Sequence, residues 1–400
     1  MRAPEQTVFV GDVDSLSSRI DLAHRVTPEF YARERARIFR RVWLAVGVAT
    51  DVPEPGHYTT VEVPPLNASV LIVRDRDNQV RAFHNICRHR GQKLVYPSQG
   101  KARNFPCTFH GWVFSTEGAL SHVTDATQFR NLDKANHSLI ELASEVWENI
   151  VFVCFDPRPL ETLREYLGDF YDQYRGMAEG RVKVCDHRIR LNTNWNMGVN
   201  AFGEGYHTLY VHKWSVPDYQ GGRTNPDRHR PYLEVGRRFS RYSAHGNAHH
   251  KRTPAEALIY GHASHPLFPS FPSVDMDTLP PGINASRFDE WGFDIVHVFP
   301  NLVMSPNANM HGLMTFWPID HAHTEIRNVR FTYAPKKNSD RVAAAYSVAR
   351  VREVIREDMA PMELNTQAIA SGFLPHIVLS DQERVIQNHY RIADELLSLE

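Results

Sequence analysis

The sequence has few cysteines, almost no net charge and no long apolar run, and each shortage excludes a class of protein. Four cysteines in 400 residues are too few for a disulfide-stabilised fold, so a reducing cytoplasm is the expected location. Lys and Arg number 45 against 46 Asp and Glu, and the net charge of -1 gives no reason to expect a nucleic-acid partner. The longest apolar stretches, such as residues 150–155, are too short to cross a membrane, and no secretory signal is recognisable.

The length and the residue pattern predict two domains of an α+β protein. A chain of 400 residues exceeds what one hydrophobic core usually organises. Short strand patterns within residues 41–160 predict a small all-β domain, and residues 161–400 predict a larger domain with an antiparallel sheet flanked by helices. Residues 1–40 are predicted to form a helical segment that packs on the larger domain.

Three segments of the larger domain have sequence patterns that predict their secondary structure. Residues 215–290 hold nine of the 25 prolines, which argues against long regular elements and predicts an excursion that covers or lines a pocket. Residues 351–370 have a helical apolar period. Ser380 and Glu383 form a capping-box pattern that predicts the start of a last helix.

Two short segments in the first half each combine one cysteine with one histidine. Cys87 and His89 are followed, after 17 residues, by Cys107 and His110. If both sulfurs bind one iron and both nitrogens bind the other, the segments hold a [2Fe-2S] cluster with Rieske ligation. Since neutral imidazoles add less negative charge than thiolates, such a cluster has a higher potential than an all-cysteine one.

Structural zinc is the competing interpretation, because two cysteines and two histidines also bind zinc. Zinc fingers usually present Cys with Cys and His with His, so the mixed pairing favours the iron–sulfur cluster. Chance placement of these residues in glycine-containing loops is the remaining alternative. Cys154 and Cys185 have no histidine partner in register and are expected to be buried, inert thiols.

A second group of polar residues lies in the other half of the chain. His207 and His212 are five residues apart, about 140° on a regular helix, so they converge only if the helix ends or distorts between them. Asp358 falls on the apolar stripe of the predicted helix 351–370, whereas Glu357 lies well away from that stripe. Asp358 could also pair with a buried arginine or lie exposed, and Pro361 could kink the helix just after it.

Together, His207, His212 and Asp358 would form a 2-His-1-carboxylate triad, which leaves open positions on Fe(II) for dioxygen and substrate. The presence of two redox metal sites in one chain is chemically consistent, because one site can supply electrons to the other. Reduction of dioxygen at a single iron requires more electrons than Fe(II) itself releases, and a one-electron cluster can provide them.

With both ligand sets in view, the chain resembles the large (alpha) subunit of the Rieske non-haem iron aromatic ring-hydroxylating oxygenases. The resemblance covers both predicted domains, with 41–160 as the Rieske domain and 161–400 as the catalytic domain. Its motifs are Cys87–Gly91, Cys107–Trp112, Asn194–Trp195, Tyr206–His212 and Glu357–Asp358. Thr108 is a departure, since the family usually has proline there.

The resemblance also implies a role for Glu204. In the family an acidic residue at this place, most often Asp, connects a cluster histidine of one subunit to an iron-binding histidine of its neighbour. Carried over, His110, Glu204 and His207 would form the inter-subunit electron path; the alternative is an exposed glutamate on a helix. Glu in place of Asp puts the aromatic substrate class in doubt, and Phe202 is a weaker candidate for substrate contact.

The function that the resemblance implies is a terminal oxygenase that uses a [2Fe-2S] cluster and Fe(II) to hydroxylate a small, aromatic substrate with O2. No G-x-G-x-x-G follows a strand, so NAD(P)H electrons must come from a separate reductase, with or without a ferredoxin. A homotrimer, with or without a β subunit, is implied. The alternatives are O- or N-demethylation or amine monooxygenation, a Rieske electron carrier without oxygenase activity, and a zinc-stabilised interaction protein.

Overall fold

A computed structural model of the chain describes residues 7–216, 229–247, 249–266 and 275–399. In chain order the strands are β1 (Val8–Val10), β2 (Arg19–Asp21), β3 (Leu44–Val48), β4 (His57–Val63), β5 (Ala68–Arg74), β6 (Val80–His84), β7 (Gln99–Lys101), β8 (Asn104–Pro106), β9 (Val113–Ser115), β10 (Leu120–His122), β11 (Ala143–Trp147), β12 (Ile150–Cys154), β13 (Arg181–Leu191), β14 (Tyr232–Val235), β15 (Phe239–His245), β16 (Trp291–Val298), β17 (Leu302–Pro306), β18 (Met310–Pro318), β19 (Thr324–Tyr333) and β20 (His376–Val378). The α-helices are α1 (Pro28–Glu34), α2 (Leu163–Leu167), α3 (Phe170–Gln173), α4 (Trp195–Asn200), α5 (Thr208–Val211), α6 (Pro254–Gly261), α7 (Asn338–Ala370) and α8 (Arg384–Ser398).

The chain divides into two compact units. One contains Arg35–Leu163, and the other combines Met1–Glu34 with Arg164–Glu400. The predicted α+β class is confirmed, with a smaller unit of antiparallel strands and a larger unit of mixed helix and sheet. No helix among the described residues is long and apolar enough to span a bilayer.

The smaller unit consists of three antiparallel sheets, with strand orders β6-β5-β4-β7, β10-β9-β8 and β11-β12-β3. β5 and β6 form a hairpin because a turn at 75–78 separates two apolar runs. Gly118 turns the chain between β9 and β10 with φ +85, and a Cβ there would lie 2.6 Å from the Phe83 ring. Buried residues of β4, β5, β6, β8, β9 and β10 enter one core, which also contains Cys87 and Cys107.

The larger unit is organised by an eight-stranded sheet with the order β1-β14-β15-β16-β17-β18-β19-β13. Neighbouring strands are antiparallel except β1 and β14. The run from β16 to β19 is an antiparallel meander within the sheet that is predicted for residues 161–400. The N-terminal segment is not purely helical, because β1 joins this sheet and β2 pairs with β20.

The prediction of an irregular excursion over 215–290 is wrong for its middle part. β14 and β15 lie there as paired strands of the main sheet. The reason is that no proline occurs between residues 232 and 253, so the prolines border these strands without interrupting their hydrogen bonds. Residues 217–228 and 267–274, which also belong to the expected excursion, lie outside the described residues.

The two C-terminal helices extend the predicted ones. α7 begins at Asn338, 13 residues before the predicted start, and continues through Pro361 to Ala370. Its first turns were missed because they carry small and polar residues in place of a clear apolar period. The capping box of Ser380 and Glu383 is present and precedes a 3-10 turn that leads into α8.

Candidate metal centres

The two cysteine–histidine loops of the smaller unit have the same backbone geometry. In the first loop the Gly91 N–H donates to the Cys87 carbonyl at 3.1 Å, and in the second the Gly111 N–H donates to the Cys107 carbonyl at 2.9 Å. Both glycines have positive φ, +77 and +72, which an L side chain rarely adopts. The loops are therefore two copies of one tight turn.

The two turns place both cysteines in the core and bring the two histidines close to each other. Cys87 and Cys107 are buried at 2% and 3% exposure, and all four cysteines of the chain are free thiols. His89 Nδ1 lies 3.2 Å from His110 Nδ1, and the His89 ring stacks on Trp112 at 13°. Burial, followed by the nearby His110 and Arg90, lowers the pKa of His89, which favours the neutral imidazole that binds metals.

The donor set fits a [2Fe-2S] cluster better than a single zinc ion. Both sulfurs approach from the core side and both imidazoles lie half-buried at the loop tips. Among the described residues, three or more His, Cys, Asp or Glu ligand atoms converge within 4.8 Å at His207, His212 and Asp358, and not at the four loop ligands. A single zinc ion requires four ligands around one point, whereas two irons take the sulfur pair and the nitrogen pair separately.

The second centre lies in the larger unit and joins the three residues that the sequence analysis singled out. His207 precedes α5 and His212 follows it, so the helix has one turn and both rings turn inward. The Nε2 atoms of the two histidines are 3.3 Å apart. Asp358 Oδ1 lies 3.5 Å from His207 Nε2 and 3.1 Å from His212 Nε2. This is a facial arrangement of two imidazoles and one carboxylate, the chemistry that binds non-haem Fe(II).

Each histidine also contacts a further carboxylate through its Nδ1 atom. Glu204 Oε1 is 2.5 Å from His207 Nδ1, and its Oε2 accepts the His207 backbone N–H at 3.1 Å. Glu357 Oε2 is 2.9 Å from His212 Nδ1 and also accepts the Ser215 hydroxyl. Outer carboxylates of this kind fix the tautomer and the orientation of metal-binding histidines.

The contacts between these carboxylates and the two histidines also shift the pKa values of Glu204 and His212. Burial alone would raise the pKa of Glu204, but the hydrogen bonds and charge of His207 outweigh it, so this pKa lies below its usual range. Burial alone would lower the pKa of His212, but the adjacent Asp358 and Glu357 carboxylates raise it. Both effects show a site that attracts positive charge.

Hydrogen bonds join the residues just before α4 to α7. Asn194 caps α4 by accepting the Asn196 N–H. The Thr193 hydroxyl lies 2.9 Å from that of Thr366, and the Glu363 carboxylate accepts the Asn192 N–H at 2.8 Å. These bonds tie the strand end before α4 to the helix that carries Asp358.

A cavity of about 160 Å³ adjoins the triad. Phe202, the expected substrate contact, lies on its wall and is 9% exposed. Apolar side chains of the sheet face and of α7 form most of the lining, including Ile295, Met310, Met314, Val351, Val354 and Ile355. Ala201 also lines it.

Sequence reasoning missed two residues at this site. Glu357 was placed away from the apolar stripe, although its side chain reaches back to His212 beside Asp358. Arg330 lies on β19 and lines the cavity, and no sequence signal separates it from Arg327, the other arginine of that strand. The adjacent pair Glu357–Asp358 was the available signal for the first.

Comparison with known families identifies the class. Residues 178–399 match the family described as ring hydroxylating alpha subunit (catalytic domain), and residues 42–135 match the Rieske [2Fe-2S] domain. The chain belongs to the ring-hydroxylating alpha subunit family, whose members carry a Rieske cluster and a mononuclear iron. The resemblance drawn from the motifs is thereby confirmed.

Individual relatives include both dioxygenases and monooxygenases. The chain is 33% identical over 194 residues to choline monooxygenase, chloroplastic, from Spinacia oleracea, and 32% identical over 196 residues to the large oxygenase component of the naphthalene 1,2-dioxygenase system from Pseudomonas aeruginosa. Each alignment covers 47% of this chain and 43% of the relative, so less than half of each relative is matched. A quaternary ammonium Rieske monooxygenase structure has the same fold, with a TM-score of 0.74, 18% identity and coverage of 97% and 98% of the two chains.

Proposed function

We propose that the chain is the terminal oxygenase component of a multicomponent Rieske oxygenase. The observation that carries the proposal is the presence of two separate ligand sets, a paired cysteine–histidine set and a convergent 2-His-1-carboxylate set, in one chain. Family membership and the relatives of both reaction types support it. The substrate is a small molecule, and O2 is the oxidant.

Each residue has a role in this proposal. Cys87, His89, Cys107 and His110 hold the [2Fe-2S] cluster, and His207, His212 and Asp358 hold Fe(II). When bound, Fe(II) in such a triad supplies open coordination positions for dioxygen and substrate. Glu357, which also accepts the Ser215 hydroxyl, keeps His212 Nδ1 engaged, so that Nε2 faces the other two triad residues. The apolar walls of the cavity, with Phe202, exclude water from the substrate.

Glu204 is proposed as the link between His207 and a cluster histidine, His110, of a neighbouring copy in a homotrimer. Its two oxygens already contact His207, and each retains a lone pair for a further donor. The similar fold of a relative whose structure concerns inter-subunit electron transfer supports this role. A separate reductase, with or without a ferredoxin, would deliver the electrons. The homotrimer is proposed with or without a β subunit.

The proposed domain limits are a segment 1–40 associated with the catalytic domain, a Rieske domain at 41–160 and a catalytic domain at 161–400. The two compact units support a division near these limits. They also place α1 with the larger unit, although the π-helix Arg35–Phe39 belongs to the smaller one.

Metal analysis tests the proposal. Anaerobically purified protein should contain about three irons and two acid-labile sulfides per chain and give a Rieske EPR signal after dithionite. Two irons without turnover would favour an electron carrier, and a colourless zinc protein would contradict both. Incubation with substrate under ¹⁸O₂ then separates the reaction types, because a cis-diol retains two labelled atoms and a monooxygenated product one.

The role of Glu204 has its own test. Glu204→Gln should retain both metals and fail to form product when electrons are supplied, whereas Glu353→Gln, at a half-exposed position on α7, should behave like wild type. Normal turnover by Glu204→Gln would contradict the link. Loss of iron in this variant would assign Glu204 to holding His207 alone.

A further inference from the structure

The cavity beside the triad contains a buried guanidinium group that has no carboxylate partner among the described residues. Arg330 is 6% exposed and lines the cavity together with the three triad residues. Its Nε donates to the Asn328 side-chain oxygen at 2.9 Å, and its Nη1 donates to the Ser305 hydroxyl at 2.6 Å. Both partners are neutral.

Three adjacent strands place this guanidinium group. Arg330 on β19 is opposite Gly312 on β18, and Gly312 is opposite Ser305 on β17. A Cβ on Gly312 would lie 2.0 Å from Nη1 of Arg330. The missing side chain therefore lets the arginine cross the middle strand and reach Ser305, which holds the group at a defined place on the pocket face of the sheet.

Four of the five other buried arginines that the structure describes in the larger unit are neutralised by carboxylates of the protein. They pair with carboxylates, as in Arg25–Asp394, Arg238–Glu395, Arg241–Glu234 and Arg327–Asp186. Burial of a charge without a counter-ion is costly, and proteins usually avoid it by pairing. Arg330 departs from that pattern at the wall of an otherwise mostly apolar cavity.

The acidic groups of the cavity cannot serve as this counter-ion. Asp358 belongs to the triad, and Glu204 is held by His207. The Nη2 group of Arg330 makes no hydrogen bond to any described residue, so donors of Nη1 and Nη2 are left for a planar, two-oxygen acceptor. A carboxylate is the group that matches such a fork.

We propose that the substrate carries a carboxylate that binds Arg330, with an apolar body that extends along Met310 and Met314 in the cavity shared with the triad. The proposal rests on the oxygenase function and narrows it to organic acids. Arg330 is then a specificity-determining residue, and a purely cationic substrate is disfavoured because Arg330 would repel it. Phe202 and Ile295 provide further apolar contact for that body.

Calorimetric titration of the resting, metal-loaded protein tests the proposal without turnover. Benzoate and cyclohexanecarboxylate should bind, and benzoate should bind at least about tenfold more tightly than benzamide, its neutral counterpart, because a charged hydrogen-bond pair is lost. Arg330→Met should abolish this preference and Arg330→Lys should retain part of it. Arg188→Met, which changes a half-exposed arginine on β13, is the matched control and should leave it intact.

Three results would overturn the proposal: equal binding of benzoate and benzamide, an unchanged preference in Arg330→Met, or no carboxylate binding by the wild type at millimolar concentration. Iron content checks that each variant is folded. Because the titration needs no electrons, it remains informative if oxygenase activity is absent. Conversely, turnover of neutral substrates alone would refute the carboxylate anchor and leave the oxygenase function in place.

Discussion

The Glu357 carboxylate lies 2.9 Å from Nδ1 of His212, on the ring edge opposite the one that faces Asp358. Glu357 and Asp358 are consecutive residues of α7, yet both reach the same imidazole. In the proposed centre, one adjacent pair of acids would therefore supply a metal ligand and the group that orients another ligand.

The first prediction concerns this orientation. Glu357→Ala should lower the affinity of the triad for Fe(II) by about 10–100-fold, because His212 Nδ1 and the Ser215 hydroxyl lose their acceptor. Glu357→Gln keeps an acceptor oxygen and should have a smaller effect. Iron titration measures both, and Glu353→Ala, one turn earlier on α7 at a half-exposed position paired with Arg352, serves as the control.

The second prediction is that the two metal centres can be lost separately. Cys107→Ser should remove the cluster and reduce iron from about three to about one per chain, since a thiolate ligand is missing and the triad is untouched. Cys154→Ser should keep all of the iron, because Cys154 lies in β12 and donates to the Arg41 carbonyl, a contact that serine can also make. Visible absorption and iron analysis report the outcome. Loss of the cluster in the Cys154 variant would contradict the ligand assignment.

The third prediction tests the path of Arg330 across the sheet. Gly312→Ala should destabilise the protein by about 1–3 kcal/mol, because its Cβ would displace a buried guanidinium group from Ser305. The double variant Gly312→Ala, Arg330→Met should lose less stability than the sum of the single changes, since the clashing group is gone. Urea unfolding of the four proteins in the cycle measures this coupling. Strict additivity would mean that the two residues do not interact.

The fourth prediction concerns pH and a buried acid remote from the triad. Burial raises the pKa of Glu34 to about 7, despite hydrogen bonds from the Trp195 and Asn196 side chains. The folded state thus holds this proton more tightly than the unfolded state, so the contribution is complete below about pH 4.5 and is lost as the pH rises towards 7. The expected decline is on the order of 3 kcal/mol.

Thermal unfolding midpoints from pH 5 to pH 8 can isolate this contribution. Glu34→Gln should have a flatter pH profile than wild type over this window, because an amide does not titrate there. Glu29→Gln, on the same helix at an exposed position, should retain the wild-type slope. Parallel profiles for wild type and Glu34→Gln would show that Glu34 is not responsible for the decline.

Much of the fold followed from local patterns. The hairpin of β5 and β6, the meander from β16 to β19 and the capping box before α8 are determined by neighbouring residues, through apolar alternation, turn residues and hydrogen bonds at a helix start. β14 and β15 were missed because nearby prolines masked two short strands that gain their stability from pairing within a large sheet.

Some features of the candidate site could be predicted from the sequence, and others depend on the tertiary structure. The sequence by itself determined which ligand types are available for two metal sites, through the spacing of the cysteines and histidines and the placement of Asp358 on an apolar stripe. Only the tertiary structure decided which groups support and complement those ligands. Glu357, Gly312 and Arg330 act through contacts between residues 18 to 145 positions apart in the chain, as in Gly312 with Arg330, Arg330 with Ser305 and Glu357 with His212. Their roles depend on packing across the sheet and against α7, and no local spacing encodes such contacts.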